Sequence, residues 1–257
     1  MNYNYHTHTY RCHHASGTEE EYILKAIDGG IKYWGFADHI PQIFPDGYES
    51  SYRVPMAEAE NYISTLKALR EKYKDKIDIK IGFETEYYPS HFKKMTSRMI
   101  ELGCEYFICG QHFIHEEHPG GVHTSKANDS EADLTEYVDC IIGAIESDIV
   151  SYIAHPDLFN FTGSESAYTR EITRLCECAK AHNIPLEINF LGIRDHRRYP
   201  HDPFWQICGK SGAPVTYGFD AHDIESACDL ASKEYADSLT KKYNLNYIGK
   251  PKLKLLN

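Results

Sequence analysis

The stretch "NYNYHTHTYRCHH" (residues 2–14) runs from an apolar–polar alternation typical of a short β-strand directly into four histidines. An N-terminal histidine cluster can be a purification tag or a solvated tail, but the irregular spacing here is unlike a tag. His6 and His8 are two residues apart at the end of the predicted strand, and alternate strand residues face the same side. The two imidazoles can therefore bind one ion together.

Beyond this stretch, short β-rich runs alternate with longer amphipathic segments along the whole chain. This alternation is typical of repeated βα units and predicts a mainly parallel sheet. Seven strands are predicted, at residues 2–6, 32–38, 77–84, 105–111, 148–155, 185–190 and 214–220. Thr18 has capping-box spacing to Glu21 and predicts a helix that ends at Gly29. Further helices are predicted at residues 56–73, 90–102, 131–145, 169–182 and 223–236.

The length of 257 residues with 42% hydrophobic content allows either one α/β barrel or two small domains. Because no linker, repeat or low-complexity tract divides the chain, we predict one domain over residues 1–257. Two long polar loops, at residues 41–55 and 115–130, follow predicted strands. In a barrel of βα units such loops form the mouth of the site, so we expect substrate contacts there.

The formal net charge of -11 argues against a surface for long nucleic acid or anionic membrane, since either needs a clustered basic face. The chain has no apolar run long enough to span a membrane, and its N-terminus is unlike a signal peptide. We therefore expect a cytoplasmic protein, in which the eight cysteines are reduced packing residues. No feature of the sequence indicates an oligomeric state.

Six of the predicted strands end in metal-binding side chains, in the motifs "HTH", "ADH", "GFETE", "GQH", "AHPD" and "GFDAH". Such residues are costly to bury unpaired, so their recurrence predicts a shared site. The nine candidate ligands are His6, His8, His14, His39, Glu84, His112, His155, Asp220 and His222. Imidazoles combined with carboxylates suit Zn, Mn or Fe. Since a structural zinc takes four ligands, the set predicts more than one ion, with Glu84 and Asp220 as bridging carboxylates.

These residues resemble the four motifs of the PHP family, named for polymerase and histidinol phosphatase. The motifs are an HxH with a later histidine, a histidine after the second strand, a glutamate with downstream histidines, and a C-terminal DxH. In this chain they are His6, His8 and His14; His39; Glu84, His112 and His155; and Asp220 with His222. The resemblance spans residues 6–222. It implies a distorted (β/α)7 barrel, similar to a TIM barrel, with three divalent metal ions at the C-terminal ends of the strands.

Within the family, "HTHTYRCHHASG", "GFETEYYPS" and "YGFDAHD" are most similar to the histidinol-phosphate phosphatase branch. This resemblance implies that the three ions are bound by His6, His8, Glu84 and Asp220; by Glu84, His112 and His155; and by His14, His39, Asp220 and His222. His13 does not match the third ligand position of the first motif, and we expect it to be solvated or to lie behind the ligands.

The branch resemblance implies hydrolysis of a phosphate monoester, most specifically L-histidinol phosphate, by a hydroxide that bridges two ions. Glu84 and Asp220 would hold those ions. Arg194, in "LGIR", matches a position where the branch has a phosphate-binding arginine, and a guanidinium suits that role. Arg197 and Arg198, in the basic run that follows, match no such position, and of these two we predict Arg197 as a substrate contact.

For two further roles, a proton donor and a carboxylate that binds an ammonium group, the sequence offers candidates only in predicted loops. The leaving alkoxide needs a proton, which His196, His115 or Glu117 could donate. The ammonium group of the substrate needs a carboxylate, for which Glu116, Glu117 and Asp46 are candidates, and Glu117 is our predicted substrate contact.

Two other functions fit the same residues. One is a PHP phosphoesterase that acts on nucleotides, short oligonucleotides or phosphotyrosine, although the acidic charge counts against long nucleic acid. The other is a metal-binding or regulatory protein that has lost catalysis. The complete ligand set and the long loops around the predicted site count against this second alternative.

Overall fold

The structure, a computed structural model, describes residues 1–44 and 46–256. The strands in these residues are β1 (Tyr3–Asn4), β2 (Tyr33–His39), β3 (Asp78–Thr85), β4 (Tyr106–Cys109), β5 (Phe113–Ile114), β6 (Val122–His123), β7 (Val150–Ile153), β8 (Leu186–Asn189), β9 (Pro214–Gly218) and β10 (Asn246–Tyr247). The α-helices are α1 (Glu19–Asp28), α2 (Ala59–Tyr73), α3 (Phe92–Leu102), α4 (Glu131–Glu146), α5 (Glu165–His182), α6 (Phe190–Arg194), α7 (Asp202–Ser211) and α8 (Ala231–Tyr243).

The main sheet has the order β1-β2-β3-β4-β7-β8-β9-β10, and every neighbouring pair in it is parallel. Thr7, just after β1, forms a parallel bridge with Ala221, just after β9. The backbone N–H of His8 donates to the Ala221 carbonyl at 2.9 Å. The sheet therefore curls until its first strand meets β9, which confirms the predicted barrel of seven strands. The short strand β10 pairs with the start of β9, on the edge away from β8.

Four of the eight described α-helices begin at a side-chain cap. Thr18 and Glu21 form the predicted capping box, and α1 ends at Asp28 with Gly29 as its C-cap. The helix expected at residues 169–182 begins earlier, at Glu165, because the Ser164 side chain accepts the N–H of Ala167 and caps it.

The last part of the chain differs most from the prediction. The helix expected at residues 223–236 is instead a 3-10 turn at Glu225–Cys228 followed by α8. The helices α6 and α7 and the two-residue strand β10 were not predicted. The antiparallel pair β5–β6 includes Val122–His123 from the stretch expected to be a loop.

Aromatic side chains fill the N-terminal end of the barrel. Tyr3, Tyr5, Tyr106 and Tyr152 form one buried cluster on the inner face of the sheet. The Tyr106 hydroxyl bonds to the carbonyls of Tyr5, at 2.8 Å, and of Phe36, at 3.0 Å. Glycines on β2 and β3 leave room for this ring, since a Cβ at either position would collide with it. With this end closed by packing, a site within the barrel has to lie at the C-terminal end.

No helix in the described part of the chain is both long and apolar enough to cross a bilayer.

Candidate metal centre

The nine predicted ligands all lie at the C-terminal edge of the barrel. His39 is the last residue of β2 and is paired in register with Glu84 on β3. The others follow strands that run parallel and therefore finish at the same edge. His6, His8 and His14 follow β1, His112 follows β4, His155 follows β7, and Asp220 and His222 follow β9.

A first group of donor atoms surrounds His6 and His8. Their Nε2 atoms are 3.1 Å apart. The Nε2 of His8 lies 3.3 Å from Asp220 Oδ1 and 3.4 Å from Glu84 Oε2. Two imidazole nitrogens and two carboxylate oxygens thus face one point, which is the arrangement of ligands around a metal ion.

Two further groups share the same carboxylates. Glu84 Oε1 lies 2.9 Å from His155 Nε2 and 3.7 Å from His112 Nε2. On the other side, Asp220 Oδ1 lies 3.2 Å from His222 Nδ1, and His222 Nε2 is 3.0 Å from His14 Nε2. Each carboxylate therefore contacts more than one cluster of imidazoles, as expected of a bridging ligand.

His39 occupies a position between these clusters. Its Nδ1 lies 3.1 Å from Glu84 Oε2. It also belongs to two sets of converging donor atoms, one with Glu84 and His112 and the other with His14 and His222. Its contacts therefore do not assign His39 to one of these two sets rather than the other.

The protonation states of His8, His14 and Glu84 suit metal binding. Burial, together with the neighbouring His222, lowers the pKa of His8 to about 3 and that of His14 to about 4. Burial opposes the charge on Glu84, but the imidazoles around it, His112 first, hold its pKa well below the usual value. Neutral imidazoles and ionised carboxylates are the forms that bind metals.

Burial opposes a charge on His6 and His155, but the facing carboxylates, Asp220 first for His6 and Glu84 for His155, raise the pKa of both imidazoles.

A buried carboxylate oxygen that accepts no hydrogen bond within the described residues tests whether an ion fits. Asp220 Oδ1 is buried and accepts no hydrogen bond, although such an atom is costly to leave unsatisfied. Asp220 also has a φ of 47°, and His155 a φ of 29°, in the left-handed region that residues other than glycine adopt uncommonly. A cation bound by the facing imidazoles and carboxylates would satisfy the Asp220 oxygen.

Space for the carboxylates comes from glycine. A Cβ at Gly110, just after β4, would collide with the Glu84 carboxylate and would lie 2.6 Å from the His155 ring. The glycine of "CGQH" is therefore required by the close approach of Glu84, not by a turn.

Three buried acids that contact the candidate ligands were not predicted from the sequence. Glu187, on β8, lies 3.0 Å from His6 Nδ1 and accepts the backbone N–H of His155 at 3.2 Å. Such partners orient ligating imidazoles and raise their basicity. The signal for Glu187 was present in "LEINF", where an acid interrupts an otherwise apolar strand.

The other two acids also border candidate ligands. Asp38 Oδ1 lies 3.8 Å from His8 Nδ1. Glu86 accepts the backbone N–H of His112 at 2.9 Å and forms an ion pair with the buried Arg53. Both could have been found, because Asp38 stands beside His39 in "ADH" and Glu86 stands two residues after Glu84 in "GFETE".

The donor groups form the floor of a cavity of about 850 Å³. Its rim combines charged and apolar side chains, which are Phe113, His123, Leu158, Leu191, Asp195, Arg197, Arg198, Tyr199 and Asp223. Arg197 donates to Asp195 at 2.9 Å and to the Tyr199 hydroxyl at 3.3 Å. The donors of Arg198 instead bind the carbonyls of Phe159 and Phe161. Because its partners Asp195 and Tyr199 both line the cavity, the guanidinium of Arg197 lies within it, whereas backbone carbonyls hold that of Arg198.

Arg194 does not lie where the sequence predicted. Its guanidinium donates to the backbone carbonyls of Phe219, at 2.7 Å, and Asp220, at 2.6 Å, and it does not line the cavity. It also contacts Asp229 at 3.3 Å. These three oxygens occupy the donors expected to bind phosphate, so the structure corrects the phosphate-binding prediction and places Arg194 behind the Asp220 backbone.

The predicted loop carboxylates are also engaged elsewhere, outside the cavity lining. Glu117, the predicted substrate contact, accepts Arg53 Nε at 2.7 Å and the Tyr48 hydroxyl at 3.2 Å. Glu116 bonds to Ser90 and His91, and Asp46 lies 2.7 Å from His118 Nε2. These contacts connect the segments that follow β2, β3 and β5. None of the three carboxylates reaches the candidate metal ligands.

The candidate proton donors lie outside the cavity as well. His115 is 61% exposed and pairs with Glu136 at 2.9 Å. His196 is exposed and is not a cavity residue. His13 is also exposed, as expected of a histidine that follows no ligand motif.

A parallel barrel with clustered imidazoles and carboxylates at its C-terminal edge defines a class of barrel proteins with a buried metal-binding site. The model of the PHP domain matches residues 4–190, and the chain belongs to this family.

Relatives and solved structures extend this similarity along most of the chain. A probable histidinol-phosphatase of Deinococcus radiodurans is 25% identical over 84% of this chain and 85% of its own length. The histidinol-phosphatase of Bacillus subtilis is 24% identical over 84% of this chain and 92% of its own length. The fold is similar to that of a Lactococcus lactis histidinol phosphate phosphatase complexed with zinc, L-histidinol and phosphate. That match has a TM-score of 0.72 and 19% identity, and it covers 96% of this chain and 95% of the other.

Proposed function

We propose that this protein is a metal-dependent phosphomonoesterase that hydrolyses L-histidinol phosphate to L-histidinol and phosphate, a reaction of histidine biosynthesis. The observation that carries the proposal is the convergence of His6, His8, Glu84 and Asp220 on one point, with an Asp220 oxygen that the protein leaves unsatisfied. Relatives named histidinol-phosphatase, matched over 84% of this chain, supply the substrate.

The site would hold three divalent ions, of Zn, Mn or Fe, in the three ligand groups implied by the family motifs. When bound, such ions neutralise charge on the phosphoryl oxygens and make water a nucleophile at neutral pH. Zinc is supported by the complexed Lactococcus lactis phosphatase. The count of three is supported by the three groups of donor atoms and by the two carboxylates shared between them.

Residues of the chain supply the remaining parts of the reaction. Glu84 and Asp220 are the proposed catalytic carboxylates, and Glu187 would keep the Nε2 of His6 directed at the ions. Arg197 would bind the phosphate, because its guanidinium lines the cavity and a planar guanidinium suits phosphate oxygens. Arg194 would act as a positioning residue that fixes the backbone of Asp220.

We also propose that residues 1–257 act as one phosphoesterase domain. The chain beyond the match to the family model contributes Arg197, Asp220 and His222 to the cavity, so the site needs it. The cytoplasm is the proposed compartment, supported by the free and buried thiols of Cys12 and Cys109.

The test is phosphate release from L-histidinol phosphate beside AMP, phosphotyrosine and p-nitrophenyl phosphate, with metal content measured on the same sample. A strong preference for histidinol phosphate supports the proposal. Activity on another ester alone would support the metal chemistry but exclude L-histidinol phosphate as the substrate. Full metal with no turnover of any ester would favour a regulatory protein.

A matched pair of arginine variants tests the phosphate contact. Arg197→Ala is expected to raise KM for the ester by about tenfold, since a charge-assisted contact to phosphate is lost. Arg170→Ala, which changes an exposed arginine on α5, is expected to leave KM unchanged. Equal kinetics for the two variants would remove Arg197 from the phosphate site.

A further inference from the structure

We infer that Asp223 is the carboxylate that selects substrates with an ammonium group beside the phosphate ester. This inference rests on the proposed function and names a specificity-determining residue of that same cavity. In L-histidinol phosphate the ammonium nitrogen is bonded to the carbon next to the ester carbon. A carboxylate that binds this group must therefore lie close to the candidate metal ligands.

The charges in the cavity single out Asp223. Four carboxylates line it, those of Glu84, Asp195, Asp220 and Asp223. Imidazoles surround Glu84 and Asp220, and Asp195 forms an ion pair with Arg197 at 2.9 Å. Within residues 1–44 and 46–256, Asp223 is the cavity carboxylate that no Lys, Arg or His side chain pairs with.

The position of Asp223 also fits the substrate. It directly follows His222, whose Nδ1 is 3.2 Å from Asp220 Oδ1, so it stands at the edge of the candidate metal centre. Its own Oδ1 accepts the backbone N–H of Ser226 at 2.8 Å, which fixes the side chain and leaves the Oδ2 atom for a ligand. The residue is exposed to the cavity opening, where an ammonium group can approach.

The experiment compares Asp223→Asn with the wild type on two esters, L-histidinol phosphate and p-nitrophenyl phosphate, which lacks an ammonium group. Asparagine keeps the oxygen that accepts the Ser226 N–H, so the local turn is preserved. We expect kcat/KM for histidinol phosphate to fall about tenfold, mainly through KM, because a charge-assisted contact is lost. For p-nitrophenyl phosphate we expect no more than about a twofold change.

Asp195→Asn is the matched control, because it also removes a carboxylate from the cavity. The carboxylate it removes pairs with Arg197, so we expect kcat/KM to change alike for both esters. Equal losses on both esters in Asp223→Asn, or no loss on either, would overturn the inference.

The proposed function can fail separately, if the wild type shows no preference for histidinol phosphate. The role of Asp223 is then tested by comparing kcat/KM for phosphoethanolamine with kcat/KM for n-propyl phosphate. These two esters are similar in length and differ in the ammonium group. If Asp223→Asn leaves the ratio of the two kcat/KM values unchanged, the role is rejected.

Discussion

The two ends of the barrel are both polar and both buried, but they differ in whether the protein satisfies its own polar atoms. At the N-terminal end, Tyr106 bonds to two backbone carbonyls and the Tyr3 hydroxyl contacts Tyr247 at 3.1 Å. At the C-terminal end, the Nε2 atoms of His6 and His8 face each other at 3.1 Å, and Asp220 Oδ1 accepts no hydrogen bond in the described residues. A buried polar cluster that is complete is structural, whereas one that is incomplete points to a ligand.

The largest effect that separates the two ends is expected for Asp220→Asn. This change removes the carboxylate shared by two of the proposed ions, so we expect phosphate release to fall at least about a hundredfold, or about 2.7 kcal/mol. Retention of full activity and full metal content would contradict this account of Asp220.

Metal removal should have the next largest effect. Ions that bind only the folded state at a hundredfold excess over Kd stabilise it by about 2.7 kcal/mol, so chelation should lower Tm by about 5 °C or more. Calorimetry before and after dialysis against a chelator measures this, with Zn²⁺ or Mn²⁺ added back as the control. A Tm that does not respond to the ions would show that the C-terminal cluster is complete without them.

Glu187→Gln should produce an intermediate effect. The variant keeps the shape of the side chain but removes the charge that His6 Nδ1 faces, and we expect metal affinity to fall about tenfold. Competition with a chromogenic chelator measures this affinity. Glu171→Gln is the matched control, because Glu171 is equally a buried glutamate but pairs with Arg170 and Arg174 on α5. Similar affinities for both variants would exclude a role for Glu187 in orienting His6.

The smallest effect is expected at the opposite end of the barrel. Tyr106→Phe removes the hydroxyl bonds to the Tyr5 and Phe36 carbonyls and should lower the free energy of unfolding by about 1 kcal/mol. Tm should fall by about 3 °C, with metal content and kcat unchanged. Loss of metal in this variant would show that the two ends are coupled, and the comparison between them would fail.

The candidate ligands could be predicted from the sequence because their placement needs little tertiary information. His6 and His8 face one side of a strand through the two-residue period, and parallel strands end at one edge of a barrel. The acids that contact these ligands also lie at or near the ends of parallel strands. Glu187 could therefore have been predicted in the same way, but the prediction covered only side chains that could bind metal directly.

Side chains outside the strands could not be predicted in the same way, because their directions depend on contacts made only in the fold. The guanidinium of Arg194 is directed by carbonyls of Phe219 and Asp220, more than twenty residues further along the chain. Glu117 is likewise directed by Arg53 from another loop. The strand β10 was missed because a two-residue element carries no periodicity.

The bridge between Thr7 and Ala221 places the closing seam of the barrel through the middle of the candidate metal centre. His6 and His8 are synthesised more than 200 residues before Asp220 and His222. The histidines on the early side of the seam therefore lack their Asp220 and His222 partners until the later segment has been made. The complete set of ligands can form only when the barrel closes.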